Sequence, residues 1–385
     1  MLFCFVEKML STIIIFILIL SLLVFVHELG HFAAAKKMGV KVEEFGIGFP
    51  PKAFGVKKGE TTYSLNWIPI GGFVKLKGEN GEDKNDKDSF ASKAIWKKFI
   101  ILASGVGMNF ILAIIIIGIG YGIGFPQVIE GQMDKYAEVS DQKIQVTDIL
   151  EGLPADKSGM LSGDIVLAVD GKKVTSPDDV NKYINSRKEE KIILEIGRED
   201  EVIQKEVMPV RSSLEETEGY IVEDEYIIGV GLIEVGVVKY PFYIAAVKGV
   251  EQTASWTKEI ILALYGVVRN LVSGQKAGVE IAGPVGIAAL TGKVADLGFI
   301  YVLQFIALLT INLGIINLLP FPALDGGRIL VLFIEKIRGK AVDEKIENLI
   351  HNVGFALLMV LIVVVTYKDI VTYKSAFIDF FSKIF

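Results

Sequence analysis

Cysteine is almost missing from this sequence, since Cys4 is the only one among 385 residues. An intramolecular disulfide and a thiolate metal cluster are therefore both excluded. Histidine is also scarce, with three residues in all: His27, His31 and His351. The sequence contains no basic stripe with interleaved aromatic residues, so we expect no nucleic-acid partner. Internal repeats and low-complexity tracts are missing as well.

Charged and apolar residues are separated along the chain. The sequence is 51% apolar with a mean hydropathy of +0.48, although 22% of its residues are charged. Four apolar runs approach or exceed the roughly 20 residues that a helix needs to cross the hydrocarbon core: residues 9–35, 99–125, 297–324 and 348–367. We predict a multi-pass protein in the lipid bilayer. The alternative for the first run is a secretory signal peptide. The run is longer than the apolar part of a usual signal peptide, and it lacks a cleavage site made of small residues.

The distribution of charge predicts the orientation in the membrane. Residues 36–98 carry thirteen lysines and eight acids, whereas residues 126–240 carry thirteen basic and twenty-five acidic residues. Lysine and arginine accumulate in cytoplasmic loops. We therefore expect residues 36–98 and 329–347 in the cytoplasm, and the acidic segment and both termini outside a plasma or inner membrane.

The first run ends in the sequence His27-Glu28-Leu29-Gly30-His31. Histidines four residues apart on a helix project from one face, where their ring nitrogens can bind a single metal ion with the glutamate beside a water molecule. Ionisable groups at membrane depth are costly and usually functional. The motif predicts a zinc (Zn2+) site with Glu28 as general base, and the alternative is a polar helix end at the interface.

A catalytic zinc site usually has three protein ligands and one open position. Asp325 ends the third run at the same predicted depth, shortly after Pro320 and Pro322, which cannot continue a helix. We expect the span to unwind there and direct the carboxylate of Asp325 at the metal. Two alternatives are that His351 is the third ligand, or that Asp325 only caps the helix beginning at Gly326.

Two of the asparagines in the apolar runs are candidates for a specific role. Asn317 could hold the substrate backbone or a developing oxyanion through its amide, or it could simply pack between helices. Asn109 in the second run indicates an interhelical hydrogen bond, with a catalytic role as the alternative.

The segments between the runs contain β-structure. Residues 40–42, 61–65 and 73–76 resemble short strands, which form either a cytoplasmic hairpin cap or an edge that receives an extended peptide. Residues 89–98 are expected to form a short amphipathic helix. Residues 142–210 have the order strand, short helix, strand, turn, capped helix and hairpin, which predicts a compact α+β module. One or two helices within 240–275 are expected along the outer membrane face.

With HELGH in the first span and NLLPFPALDGG at the end of the third, the sequence resembles the site-2 protease family of intramembrane zinc metalloproteases, in its bacterial regulator-of-sigma-E branch. The resemblance covers nearly the whole chain. It includes residues 68–75, similar to the family's membrane-associated β-loop, residues 142–210, similar to its PDZ domain, and residues 282–287, similar to its Gly-Pro segment. The residue roles that the resemblance implies are zinc binding by His27, His31 and Asp325, catalysis by Glu28, and substrate binding by Asn317, Gly71, Gly72, Phe73 and Val74.

The sequence departs from the family pattern in two places. The second span has Val106 where the family often has a proline in Ala-Gly-Pro-x-x-Asn, so a kink there is in doubt. A single PDZ-like module fits between the second and third spans, whereas some relatives carry two, so exclusion of bulky substrates is expected to be weaker.

We therefore expect an α-helical polytopic membrane protein with about four transmembrane helices, a membrane-associated β-loop and an inserted extracytoplasmic α+β PDZ-like domain. The expected segments are 1–37 (first span with HExxH), 38–98 (cytoplasmic β-loop and amphipathic helix), 99–125 (second span), 126–235 (PDZ-like domain), 236–296 (membrane-surface helices and Gly-Pro segment), 297–328 (third span with the aspartate motif), 329–347 (cytoplasmic loop) and 348–385 (fourth span and C-terminal tail).

The resemblance implies an endopeptidase that cleaves single-span membrane proteins, of the anti-sigma-factor or signal-peptide-remnant type, with a peptide ligand for the PDZ-like domain as a further partner. Two alternatives are a different membrane HExxH protease, which would usually take a glutamate as third ligand, and a catalytically inactive membrane scaffold that displays a PDZ module.

Overall fold

The computed structural model describes residues 2–79, 81–129, 131, 133–198, 201–211, 226–275, 282–340 and 342–372. Residues 373–385 of the expected C-terminal tail lie outside this set. The chain divides into two compact units, one made of Met1–Gly120 with Ala245–Phe385 and the other of Tyr121–Ile244. The first unit contains most of the helices and the second contains most of the strands.

The helices, in chain order, are α1 (Leu2–Lys37), α2 (Ile95–Ile123), α3 (Pro154–Lys157), α4 (Pro177–Arg187), α5 (Phe242–Val272), α6 (Pro284–Leu297), α7 (Phe299–Leu318), α8 (Asp325–Arg338) and α9 (Glu344–Thr372). The strands are β1 (Val42–Lys58), β2 (Thr61–Leu76), β3 (Phe125–Val128), β4 (Glu138–Ile149), β5 (Ile165–Val169), β6 (Lys172–Lys173), β7 (Ile192–Arg198), β8 (Glu201–Val207), β9 (Val210–Arg211), β10 (Tyr226–Ile227) and β11 (Val230–Lys239).

Among the described residues, four helical segments are long and apolar enough to cross a membrane: Met9–Lys37, Ile95–Ile123, Phe299–Leu318 and Lys345–Thr372. They coincide with the four apolar runs of the sequence. The third ends earlier than the expected boundary at residue 328. Residues 319–324 leave the helical conformation, and α8 begins at Asp325. Pro320 and Pro322 lack the backbone donors that a continuous helix requires, which explains the interruption.

Strands β1 and β2 form an antiparallel hairpin of 17 and 16 residues, longer than the short strands that the sequence predicts. Both strands bend, so that Gly46 of β1 pairs with Phe73 and also with Ser64 of β2. The hairpin therefore folds into a sheet of four segments, with residues 72–76 at one outer edge and residues 54–58 at the other. The local alternation of residues in a strand does not predict that one segment of β1 pairs with two distant segments of β2.

The expected short amphipathic helix over residues 89–98 is not formed as such. Residues 89–94 make turns, and α2 begins at Ile95 and continues without a break to Ile123. Ser89 is fully buried, its hydroxyl accepts a hydrogen bond from the N–H of Ala91, and its carbonyl accepts one from Ser92. Local side-chain bonds of this kind compete with the helix.

The unit formed by Tyr121–Ile244 has its own sheet and its own core. Its seven strands follow the order β3-β11-β4-β5-β7-β8, with β6 paired to β5. Ile144, Val166, Ile192 and Leu194 are among the buried side chains of this core. The capped helix expected within residues 142–210 is confirmed as α4, which has a reciprocal capping box between Ser176 and Asp179. The expected compact α+β module is therefore present.

Candidate metal centre and active site

The HELGH motif lies within α1, which runs from Leu2 to Lys37. The side chains of His27 and His31 are on one face, one turn apart, and both residues are more than 90% buried. Gly30 has no side chain at the point where α1 meets α2, because a Cβ there would lie 2.4 Å from the carbonyl oxygen of Ser104. The motif therefore sits where α1 and α2 touch.

Asp325 meets the two histidines although it is almost 300 residues away in sequence. Its Oδ2 lies 3.0 Å from Nε2 of His27 and 3.2 Å from Nε2 of His31, and the two Nε2 atoms are 3.1 Å apart. As the first residue of α8, Asp325 follows the irregular residues 319–324. The interruption of the third apolar run thus brings a carboxylate to the histidine pair.

Three potential ligand atoms meet in this cluster, all within 4.8 Å of one another. Among the described residues, it is the one group of three or more His, Cys, Asp or Glu side chains placed so that they could hold a metal ion. Zinc–nitrogen bonds of about 2.0–2.1 Å place tetrahedral ligand atoms about 3.3 Å apart. The observed separations of 3.0 to 3.2 Å are close to that spacing. Two imidazoles and one carboxylate are also a common donor set for catalytic zinc, so the residues present fit the metal.

The backbone of α2 shapes the other side of the cluster. A Cβ on Gly105 would lie 2.4 Å from Nε2 of His31 and 2.8 Å from Cε1 of His27. The carbonyl oxygen of Ile101 accepts a hydrogen bond from Nδ1 of His31 over 2.8 Å. Asn109 faces Nδ1 of His27 at 3.2 Å. No sequence pattern indicated Gly105. For Asn109 the sequence predicted an interhelical hydrogen bond, with a catalytic role as the alternative, and the contact with His27 does join α2 to α1.

A cavity of about 310 Å3 opens beside the cluster, and its lining includes Glu28, Phe73, Val74, Asn317 and His351. Phe73 and Val74 belong to the outer segment of the β1–β2 sheet, which contacts α1. The structure therefore brings the expected base, the expected substrate amide and part of the expected substrate-binding strand to one space.

The remaining expected substrate-binding residues lie close by. A Cβ on Gly72 would be 3.8 Å from Cγ of Glu28, and one on Gly71 would be 3.5 Å from Val24 of α1. Gly71 also has a φ of +78°, a backbone conformation that glycine adopts at little cost. His351 lines the cavity but is not in the ligand cluster, so the alternative that it completes the ligand set finds no support in this geometry.

Comparison with known proteins identifies relatives along most of the chain. The model for peptidase family M50 matches residues 15–361. A protein of Clostridium perfringens that carries a zinc metalloprotease name is 36% identical over 361 residues, which cover 93% of this chain and 98% of the relative. The regulator of sigma-W protease RasP of Bacillus subtilis is 30% identical over 444 aligned positions, which cover 94% of this chain and 98% of that protein.

One solved structure is similar to part of the chain. The PDZ domain of an SdrC-like protein from Listeria monocytogenes is 18% identical, covers 27% of this chain and 93% of that domain, and has a TM-score of 0.20.

Proposed function

The chain belongs to peptidase family M50, and we propose that His27, His31 and Asp325 hold its zinc ion while Glu28 acts as the general base on a peptide bond within or next to the membrane. The chain is a zinc metalloprotease of the site-2 protease type. The observation that carries the assignment of residues is the convergence of Nε2 of both histidines and Oδ2 of Asp325 within 3.2 Å.

When bound, the zinc ion supplies Lewis acidity, which makes water more acidic and a carbonyl carbon more electrophilic. The carboxylate of Glu28, one residue after His27, accepts a proton from water and later donates it to the leaving amine nitrogen. The amide of Asn317, on the same cavity, donates a hydrogen bond to the substrate carbonyl oxygen and fixes its orientation.

A substrate helix hides its amide bonds, so it must unwind before hydrolysis. Residues 72–75 form an outer segment of the β1–β2 sheet, since they pair with β1 on one side only in the described part of the chain. An extended peptide can add to such an edge through backbone hydrogen bonds. Because Phe73 and Val74 line the same cavity as Glu28, a peptide held there has its carbonyl groups beside the ligand cluster.

The proposed substrates are single-span membrane proteins of the anti-sigma-factor type and signal-peptide remnants. The name of the Bacillus subtilis relative, a regulator of sigma-W protease, supports the first class. We place the metal cluster near the cytoplasmic side, because the lysine-rich segment 36–98 and the segment 329–347, with three lysines and one arginine, flank it in sequence. The acidic unit between α2 and α5 is then extracytoplasmic, with the strand order and capped helix that we assign to a PDZ-like domain.

The test is cleavage in a membrane. A single-span anti-sigma factor with its outer domain removed is co-expressed with the wild-type chain, with Glu28→Gln and with Asp325→Ala. Wild type should shorten the substrate and both variants should leave it intact. Equal processing by all three would reject the proposed residue roles, and metal-free wild-type protein would favour an inactive scaffold.

A further inference from the structure

Asn109 is a fully buried amide in the second span, and its side chain points at a proposed zinc ligand. Its Nδ2 lies 3.2 Å from Nδ1 of His27. Its Oδ1 has no hydrogen-bond partner within the described part of the chain. A buried amide oxygen without a partner is costly and calls for an explanation.

The neighbouring ligand shows what a zinc-binding histidine needs here. Nδ1 of His31 is 2.8 Å from the carbonyl oxygen of Ile101, which can only accept. The ring proton of His31 therefore sits on Nδ1, and the lone pair on Nε2 is free to face the cluster. Metal-ligating histidines commonly donate their other N–H in this way, which fixes the tautomer and the ring orientation.

His27 needs the same tautomer if its Nε2 is to bind zinc, and its Nδ1–H then needs an acceptor. The amide nitrogen of Asn109 cannot accept a hydrogen bond. With Nδ2 in this position, an N–H group of Asn109 would therefore face the Nδ1–H group of His27. The nitrogen and oxygen of an asparagine amide are nearly equal in shape and are assigned from their surroundings. A half-turn of the Asn109 amide places Oδ1 against Nδ1–H of His27 and gives the orphaned oxygen its partner.

The opposite arrangement is self-consistent only without a metal. In it, Nδ2 of Asn109 donates to Nδ1 of His27, and Nε2–H of His27 donates to Oδ2 of Asp325, 3.0 Å away. The lone pair of Nε2 is then lost to the cluster, and Oδ1 of Asn109 stays without a partner. The arrangement with the amide oxygen as acceptor pairs Oδ1 of Asn109 with Nδ1–H of His27 and leaves Nε2 of His27 available, while Nδ2 takes the position in which Oδ1 had no partner.

We propose that Asn109 is a positioning residue for the zinc site, with its amide oxygen accepting Nδ1–H of His27 and holding that ring with Nε2 toward the metal. This inference rests on the ligand set of the proposed function. It assigns Asn109 to the metal site, through His27, and not to contact with the substrate.

The experiment measures zinc affinity by chelator competition on the purified full-length protein in detergent. Replacement of a residue that supports a ligand typically weakens metal binding about 10–100-fold. Asn109→Ala and Asn109→Leu should both show a loss of that size, although leucine fills the space. Asn109→Asp should stay within a few-fold of wild type, because a carboxylate can only accept. The matched control is Asn312→Ala, since Asn312 donates to Leu308 within α7.

Wild-type affinity in Asn109→Leu would overturn the proposal and reduce Asn109 to a packing residue. Loss of zinc binding or of folding in Asn109→Asp would also overturn it, because Asn109 would then act as a donor. If the alanine and leucine variants do not fold, the aspartate variant still decides. His27→Ala tests the ligand set separately: if it binds zinc like wild type, the proposed function fails at its first ligand, whatever the Asn109 variants do.

Discussion

Gly105 of α2 faces His31 so closely that a Cβ on the glycine would lie 2.4 Å from Nε2 of the histidine. Cβ atoms essentially never come that near to another atom, and the backbone of α2 has little freedom to retreat. We predict that Gly105→Ala displaces the ring and lowers the zinc content of the purified protein to a small fraction of wild type. Gly107, two residues further along the same helix, has nothing within 4 Å of its Cβ position. Gly107→Ala should therefore keep its zinc, and equal zinc in both variants would contradict the close approach.

Glu28 shares the cavity with the ligand cluster without belonging to it. Glu28→Gln keeps the shape of the side chain and removes its ability to accept a proton. We expect zinc content to remain at the wild-type level while the cleavage rate falls about 10²–10⁴-fold, the usual contribution of general acid–base catalysis. Metal analysis checks the zinc content, and a cleavage time course on the same preparation checks the rate. A variant that loses its zinc would show Glu28 to be structural.

The two outer edges of the β1–β2 sheet should differ in their access to substrate. Val74 lines the cavity beside Glu28, whereas Lys57 lies in the opposite outer segment. Cys4 is the only cysteine, so Cys4→Ser provides a background without thiols. In that background we predict disulfide crosslinking of Val74→Cys, but not of Lys57→Cys, to a single-span substrate with a cysteine near its cleavage position. Crosslinking at both positions, or at Lys57→Cys alone, would exclude residues 72–75 as the docking edge.

In the unit formed by Tyr121–Ile244, Asp164 is buried and accepts hydrogen bonds from Nε of Arg198 over 2.7 Å and from Nη2 over 2.8 Å. Burial opposes ionisation of Asp164, but hydrogen bonds from Arg198 and from the N–H of Leu161 outweigh it, so the pKa lies below its usual value. The pair therefore stabilises the folded unit above the unfolded pKa of about 3.9, and this stabilisation is lost as the pH falls through the lower folded pKa.

Asp164→Asn should cost about 1.5–3 kcal/mol at neutral pH, because it removes the charge of a buried carboxylate that accepts hydrogen bonds from the partly exposed Arg198. Amide hydrogen exchange in β5 should accelerate accordingly. The control is Glu206→Gln, which removes the exposed pair between Glu206 and Lys191 and should leave the exchange rate close to that of wild type. Similar exchange in both variants would show that Asp164 contributes no more than a surface charge.

Chemistry-bearing residues were predictable from the sequence where their type and spacing are restrictive. HELGH predicts two ligands on one helical face, and the prolines before Asp325 predict the break that frees its carboxylate. The roles of Gly105 and Asn109 depend on which turn of α2 faces α1, and a uniformly apolar helix carries no local signal for that rotation. The doubled pairing of Gly46 depends on bends that bring distant residues together. Local hydrogen bonds of Ser89 hold residues 89–94 in turns where a helix was expected, and the amphipathic pattern does not reveal them.

The most direct test of the split ligand set is the zinc content of Asp325→Ala and His351→Ala, each purified beside wild type. Both side chains line the cavity, but only Asp325 has a ligand atom in the cluster with His27 and His31. The account predicts about one zinc ion per chain in wild type and in His351→Ala, since one site takes one ion, and almost none in Asp325→Ala. Retention of zinc by Asp325→Ala together with its loss from His351→Ala would contradict the account.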